Sequence, residues 1–192
     1  MIYLVRHGQS EWNLLRRTQG QIPHPGLTGL GRRQAWAAAR AIRADAGSAG
    51  RPPTSVVTSD LARAAQTAAI LAGALGVPLH VDRRWREQGL GRLEGLGYEE
   101  TAAALAAGPA AGGEPDRRVT QRVAAALDDL DTTEVTVIVT HGDTIRCLLA
   151  HLSGKAHHQD VTGPVPNGAV IALDPAVSAR TPGLRPPGPA GR

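Results

Sequence analysis

The chain has 192 residues, a formal net charge of +4 and a single cysteine, Cys147. That lone cysteine excludes an internal disulfide framework and a cysteine-rich zinc or iron–sulfur site. Aromatic residues make up 3% of the chain and its basic residues are scattered, so no stacking platform for nucleic acid is expected.

Apolar and polar segments then alternate along the chain. Short runs rich in β-branched residues predict strands, and longer segments with apolar residues at helical spacing predict helices. In chain order we predict a strand at 2–5, a helix at 30–46, a strand at 55–58, a helix at 60–75, a strand at 79–81, a helix at 117–130, a strand at 135–140, a helix at 143–153 and a strand at 169–173. This alternation predicts an α/β fold, a three-layer α/β/α sandwich with a mostly parallel central sheet.

The length fits one domain, which we place over residues 1–178. The Pro/Gly-rich residues 179–192 are expected to form a disordered tail. No apolar run reaches membrane-spanning length, and the opening MIYLVRHG lacks the features of a signal peptide. We therefore expect a cytoplasmic protein that has neither a membrane nor a nucleic acid as partner.

Three of the predicted strands lead into basic or imidazole side chains. The first strand runs into Arg6 and His7, the strand at 135–140 runs into His141, and the strand at 55–58 is followed by Arg63. Ligands of open α/β sheets bind beyond the carboxyl ends of the strands, so these four side chains are expected to meet there. Two histidines and two arginines at one edge predict an anion site that includes a candidate nucleophile.

The residues around these positions also match a known family. LVRHGQSEWN at residues 4–13 closely resembles the signature of the histidine phosphatase superfamily, also called the phosphoglycerate mutase-like family. Further stretches resemble its other motifs in the same order, at residues 19–35, 59–68, 86–95, 112–122 and 140–146. The resemblance covers about residues 1–173 and implies a phosphoglycerate mutase-like fold and phosphatase chemistry.

The resemblance implies a role for each matched residue. His7 would attack a phosphoryl group as a neutral imidazole and form a phosphohistidine. Arg6, Arg63 and His141 would hold the transferring oxygens, and Glu87 would act first as general acid and then as general base. Further substrate contacts are expected from Ser10, Asn13, Gln19, Gly20 and the Gly142 amide. No metal and no cofactor are expected; the partner would be a small phosphorylated metabolite, and a homodimer is left open.

Several of these expectations have alternatives or depend on the surroundings. Glu87 could instead be a surface carboxylate paired with a neighbouring arginine: Arg83, Arg84 or Arg86. We expect Trp85 to line the pocket near Glu87, Asp143 to cap the following helix, and Cys147 to lie in the core.

The segment 88–116, which would form the lid, is short and rich in Ala, Gly and Pro. A mutase must shield its phosphohistidine from water, and such a lid is poorly suited to that task. The sequence therefore favours hydrolysis of a phosphomonoester. A phosphoglycerate-type phosphomutase and a catalytically silent phospholigand-binding protein remain as alternatives, and the sequence does not identify the substrate.

Overall fold

A five-stranded sheet forms the centre of the computed structural model, which describes residues 1–108, 112–155 and 163–173. Its elements are β1 (Ile2–Arg6), α1 (Glu11–Leu14), α2 (Gly29–Ser48), β2 (Ser55–Thr58), α3 (Ala62–Leu75), β3 (Leu79–Val81), α4 (Tyr98–Ala106), α5 (Asp116–Asp128), β4 (Thr136–Thr140), α6 (Gly142–Leu152) and β5 (Val170–Leu173). Short 3₁₀ turns lie at Arg83–Trp85 and Gly91–Leu93.

The strands lie in the order β3-β2-β4-β1-β5, and β5 alone is antiparallel to its neighbour. Successive side chains of a strand point to opposite faces, so the sheet has an apolar core on each side. Leu4 and Ile138 pack with α5 and α6 on one face. Val5 and Val139 pack with α2 and α3 on the other. The predicted three-layer sandwich with a mostly parallel sheet is confirmed.

The predicted strands and helices are present, with ends within two residues of the predicted ones. Two helices were not predicted. The four residues of α1 form one turn, held by a capping box in which Ser10 and Asn13 bond each other's backbone. The helix α4 buries none of its side chains, and because alanine and leucine lie on all sides of its C-terminal half, no apolar stripe marks it in the sequence.

The domain boundary at residue 178 and the tail at 179–192 lie outside the described residues. Among the helices that the structure describes, none is both long and apolar enough to cross a membrane.

Candidate active site

Three adjacent strands deliver the predicted side chains to one edge of the sheet. Arg6 at the end of β1 pairs with Thr140 at the end of β4, and Thr58 at the end of β2 pairs with Val139. The residues that directly follow these strand ends therefore lie side by side. The ring centroids of His7 and His141 are 5.1 Å apart, with the rings tilted by 58°.

His7 is buried and its tautomer is set by a backbone contact. Its Nδ1 lies 2.7 Å from the Gly8 carbonyl oxygen. A carbonyl can only accept, so Nδ1 carries the proton and Nε2 keeps its lone pair. Burial, Arg63 and then Arg6 hold the pKa of His7 well below its ordinary value, against the opposing effect of the Gly8 bond. His7 is therefore a neutral imidazole with Nε2 available for attack.

Close backbone packing holds the loop that carries His7. A Cβ atom on Gly8 would lie 2.2 Å from the Gly31 carbonyl oxygen in the first turn of α2. The Gly8 N–H donates to Thr67 Oγ1 at 3.1 Å, and the Gln9 N–H donates to Gln34 Oε1 at 2.8 Å. Helices α2 and α3 therefore fix the backbone that follows the nucleophile.

Arg63 is buried at the start of α3 beside this loop. Its Nη2 donates to the Gly20 carbonyl at 2.7 Å and its Nη1 to the Ile22 carbonyl at 3.0 Å. Burial lowers the pKa of Arg63 to about 10, so the guanidinium is still charged near neutral pH. Gly20 has φ +47°, and a Cβ there would lie 2.1 Å from Glu94 Oε1. The predicted contact residue Gly20 thus provides the carbonyl that holds Arg63.

Arg6 approaches the site from β1, with its Nη1 bonded to the Val165 carbonyl. A Cβ on Gly142 would lie 3.5 Å from Arg6 Nε, which places the first residue of α6 against the guanidinium. Among the described residues, Nε of Arg6, Nε of Arg63 and Nδ1 of His141 are buried without a hydrogen-bond partner. Buried polar atoms are normally paired, and the oxygens of a phosphate could accept from all three.

His141 is fully buried at the N-terminus of α6, and its Nε2 lies 2.8 Å from Ser59 Oγ. Burial is the main cause that holds its pKa well below the ordinary value, followed by the charge of Arg63, by the repulsion that two charged imidazoles would have if His7 were also protonated, and by the charge of Arg6. The second imidazole is therefore also neutral and is oriented by a hydroxyl from the end of β2.

Glu87 lies against the first turn of α6. The N–H and the hydroxyl of Thr144 both donate to its Oε1 at 3.1 Å, and the Gln88 N–H donates to it at 3.0 Å. Burial and the nearby Asp143 raise the pKa of Glu87, and they outweigh the Gln88 bond and the charge of Arg63. Glu87 can therefore keep a proton at a higher pH than an ordinary glutamate.

The alternative view of Glu87 as the partner of a surface arginine is wrong. Arg83 and Arg86 both pair with Asp60, the latter at 2.6 Å. Arg84 pairs with two other aspartates. The neighbouring guanidinium groups are thus directed to other carboxylates.

Of the predicted contact residues, Ser10 bonds both Asn13 and Gln19. The Ser10 hydroxyl lies 3.0 Å from Asn13 Oδ1 and 2.7 Å from Gln19 Oε1, and Ser10 is fully buried. Asn13 Oδ1 also accepts from the Ser10 N–H and from Asn167 Nδ2. Among the described residues no hydrogen bond uses Asn13 Nδ2, which is therefore a donor available to a ligand, while Ser10 and Gln19 support the loop.

Two expectations about neighbouring residues are wrong. Trp85 does not line the pocket: it is fully buried and packs in the core with α5 and α6, because its 3₁₀ turn points it inward. Asp143 does not cap α6, since His141 is the N-cap and the Asp143 carboxylate pairs with Arg146 at 3.2 Å. Cys147 is in the core as expected, and burial raises the pKa of its thiol to about 12.

Several residues that shape the site received no role from the sequence. They orient a predicted group through a hydrogen bond: Ser59, Thr67, Thr144, Arg122 and Asn167. The first four lie inside the matched motif stretches, so the sequence marked their positions. It did not indicate which group each of them would bond. Asn167, which donates to the His7 carbonyl, lies outside those stretches and far along the chain.

Comparison with known proteins agrees with this arrangement. A family model described as "Histidine phosphatase superfamily (branch 1)" matches residues 2–181. The chain is 34% identical over 173 residues to the probable phosphoglycerate mutase GpmB of Yersinia enterocolitica, covering 83% of this chain and 77% of the relative.

Two solved structures are similar over most of their length. A mycobacterial glucosyl-3-phosphoglycerate phosphatase, solved with VO3, has a TM-score of 0.77 and 31% identity, covering 88% of each chain. YhfR of Bacillus stearothermophilus has a TM-score of 0.80 and 28% identity, covering 99% of this chain and 97% of that one. Because the family model spans nearly the whole chain and the Yersinia relative is 34% identical over 83% of it, this chain belongs to the histidine phosphatase superfamily, branch 1, and is an enzyme of that family.

Proposed function

We propose that this protein hydrolyses the phosphomonoester of a small phosphorylated metabolite through a phosphohistidine on His7, without a metal or a cofactor. The observation that carries the proposal is the state of His7, a neutral imidazole whose Nδ1 is bonded to the Gly8 carbonyl and whose pKa is held down by burial and by the charges of Arg63 and Arg6. A nucleophile of this kind is useful only if its target is held by positive charge, which Arg6 and Arg63 provide.

In the first step, Nε2 of His7 attacks the phosphorus atom while the bond to the leaving oxygen breaks. Negative charge on the phosphoryl oxygens is stabilised by Arg6, Arg63, His141 and the Gly142 N–H at the start of α6. The leaving alkoxide is a strong base and takes the proton held by Glu87. The products of this step are the alcohol, the phosphohistidine and the Glu87 carboxylate.

In the second step, a water molecule attacks the phosphohistidine. The Glu87 carboxylate takes the proton from this water, which restores the protonated acid and releases His7 and phosphate. One group can serve both steps because its raised pKa lies closer to the working pH than that of an ordinary glutamate.

Hydrolysis is favoured over a mutase reaction by the segment 88–116, which would form the lid. The helix α4 of this segment buries none of its side chains, so it does not form a tightly packed cover that would exclude water. A mutase must keep its phosphoenzyme away from water until the second transfer. The name of the Yersinia relative nevertheless makes phosphoglycerate mutase the second candidate, and a 3-phosphoglycerate substrate tests both activities.

The test measures phosphate release from p-nitrophenyl phosphate and from 3-phosphoglycerate, with and without a chelator. We expect the wild type to be active in both conditions and His7→Ala to be inactive. His80→Ala, which removes an exposed imidazole from β3, is the matched control and should keep full activity. Full activity of His7→Ala, or abolition by the chelator, would refute the proposal. Isomerisation of 3-phosphoglycerate with little phosphate release would indicate a mutase, and binding without turnover a silent protein.

A cytoplasmic location and a monomeric or homodimeric assembly are further parts of the proposal. Cell fractionation and light scattering of the purified protein test them directly.

A further inference from the structure

The guanidinium of Arg122 on α5 uses all of its hydrogen-bond donors on one small region. Arginine has five N–H donors in a rigid planar fork. Nη1 donates to the Arg84 carbonyl and to the Arg86 carbonyl, each at 2.6 Å, and Nη2 donates to the Glu87 carbonyl at 3.0 Å. Three backbone carbonyls of the segment that ends at Glu87 therefore converge on one side chain.

The remaining two donors of Arg122 bond the carboxylate of Glu114, through Nε to Oε1 at 2.9 Å and through Nη2 to Oε2 at 3.0 Å. Glu114 also closes on the segment after Glu87, because its N–H donates to the Gly89 carbonyl at 2.6 Å and its Oε2 accepts from the Gly89 N–H at 3.2 Å. The side chains of Arg122 and Glu114 are only 17% and 18% exposed. A bidentate pair this far from solvent keeps its geometry better than a surface ion pair does.

The contacts of Arg122 act on the peptide of Glu87 and not on its carboxylate. The carboxylate is bonded separately, by Thr144 and by the Gln88 N–H. The position of the Glu87 backbone is therefore set from α5, while the rotamer of its side chain is set from α6. A small shift of the backbone would move the acid away from the leaving oxygen without touching the arginines that hold the phosphate.

We propose that Arg122, oriented by Glu114, is a positioning residue that places Glu87 for protonation of the leaving group. The proposal rests on the proposed role of Glu87. Arg122 itself does not reach the substrate. Its contribution to the catalytic rate should be larger when the leaving group is more basic.

The test compares kcat/KM for phenyl phosphate and p-nitrophenyl phosphate, which differ in the basicity of the leaving group. This quantity reports the steps up to departure of the alcohol, so the later hydrolysis of the phosphoenzyme does not enter. Misplacement of a catalytic group by about 1 Å costs up to about 10²-fold. We therefore expect Arg122→Gln to lower kcat/KM by about 10- to 100-fold for phenyl phosphate and by about threefold or less for p-nitrophenyl phosphate.

Three further variants sharpen the comparison. Glu114→Gln should show the same selective loss at smaller size, and the double variant should be no worse than Arg122→Gln because the two residues act as one unit. Arg84→Gln is the control, because it removes a guanidinium from the same segment. This guanidinium pairs with Asp82 and Asp129, so its loss should change kcat/KM for both substrates equally and by about twofold at most.

An equal loss for both substrates in Arg122→Gln, or the same selective loss in Arg84→Gln, overturns the proposal. The variant Glu87→Gln distinguishes failure of the positioning role from failure of the proposed function. A selective loss in Glu87→Gln without one in Arg122→Gln overturns the positioning role alone, whereas no selective loss in Glu87→Gln overturns both. If thermal unfolding shows that Arg122→Gln does not fold, Arg122→Lys is judged by the same criteria, because an ammonium has three donors at most.

Discussion

The contact between Gly31 and the loop after His7 predicts an unusual result for Gly31→Ala. Gly31 lies in the first turn of α2, where alanine normally stabilises a helix by about 1 kcal/mol relative to glycine. Here a Cβ atom would lie 2.1 Å from the Gln9 carbonyl oxygen and 3.0 Å from the Gln9 N. Backbone atoms cannot rotate away as a side chain can, so either the helix or the loop must move.

The size of the shift follows from the geometry. A carbon–oxygen contact is comfortable at about 3.3 Å, so the backbones must separate by about 1 Å. Overpacking of this kind costs about 1–3 kcal/mol, and the gain in helix propensity offsets up to about 1 kcal/mol of it. We expect a net loss of about 1–2 kcal/mol, which lowers Tm by about 2–8 °C for a chain of this size. A displacement of about 1 Å at the nucleophile should lower kcat/KM by about 10- to 100-fold.

The matched control is Gly47→Ala near the other end of α2. A Cβ on Gly47 meets nothing within 4 Å, so the substitution should stabilise the protein by about 0.5–1 kcal/mol and leave activity unchanged. Thermal unfolding by circular dichroism and p-nitrophenyl phosphate kinetics measure both variants. If Gly31→Ala were as stable and as active as Gly47→Ala, the packing argument for the loop would be wrong.

Three further predictions concern the titrating groups of the site. The pKa values of His7 and His141 are lowered in the folded protein, so below about pH 6.5 the unfolded chain binds more protons than the folded one. The free energy of unfolding therefore falls as the pH falls, by up to about 1.4 kcal/mol per pH unit for each ring. The raised pKa of Glu87 opposes this trend, since the folded protein then holds a proton that the unfolded chain loses as the pH rises. Urea unfolding of wild type and His141→Gln between about pH 5 and about pH 7.5 should therefore give a shallower slope for the variant, and equal slopes would contradict neutral burial of that ring. Asp143→Asn removes a negative charge that raises the pKa of Glu87, so the alkaline limb of the kcat/KM profile should move to lower pH; a limb that stays in place or moves up would exclude Glu87 as its origin. Ser59→Ala removes the hydroxyl that orients His141 and should lower kcat about 10-fold, a loss that Ser59→Thr should partly restore. Because it leaves a buried imidazole nitrogen without a partner, it should also lower stability by about 1–3 kcal/mol, measured as a lower Tm.

The order of elements and the location of the site were predictable from local patterns. Apolar runs such as the one that precedes Arg6 fix a strand by its period and composition, and the end of a parallel strand is a known place for ligands. The placement of His7, His141 and Arg63 at one edge follows from those rules alone. The motifs at residues 4–13 and 140–146 then implied a role for each group.

Other features depend on contacts between residues that are distant in sequence. Trp85 lies shortly after a predicted strand and two residues before Glu87. Nothing in the local sequence indicates that its ring turns into the core while the Glu87 side chain turns toward the site. The two side chains point in different directions because α5 and α6 both pack against the segment that carries them. Likewise, no local pattern connects Arg122 to the Glu87 carbonyl, a separation of 35 residues.

The sequence by itself therefore determined the fold class, the edge of the sheet at which the site lies and the chemical types gathered there. These depend on periodicity and on the polarity of residues at strand ends, which are local properties. The tertiary structure alone decided the protonation states and the orientation of each group. A pKa depends on burial and on charges brought close in space, as at His7 and Glu87. The hydrogen bonds of Ser59, Thr144 and Arg122, which orient these groups, form only when the helices and strands have packed.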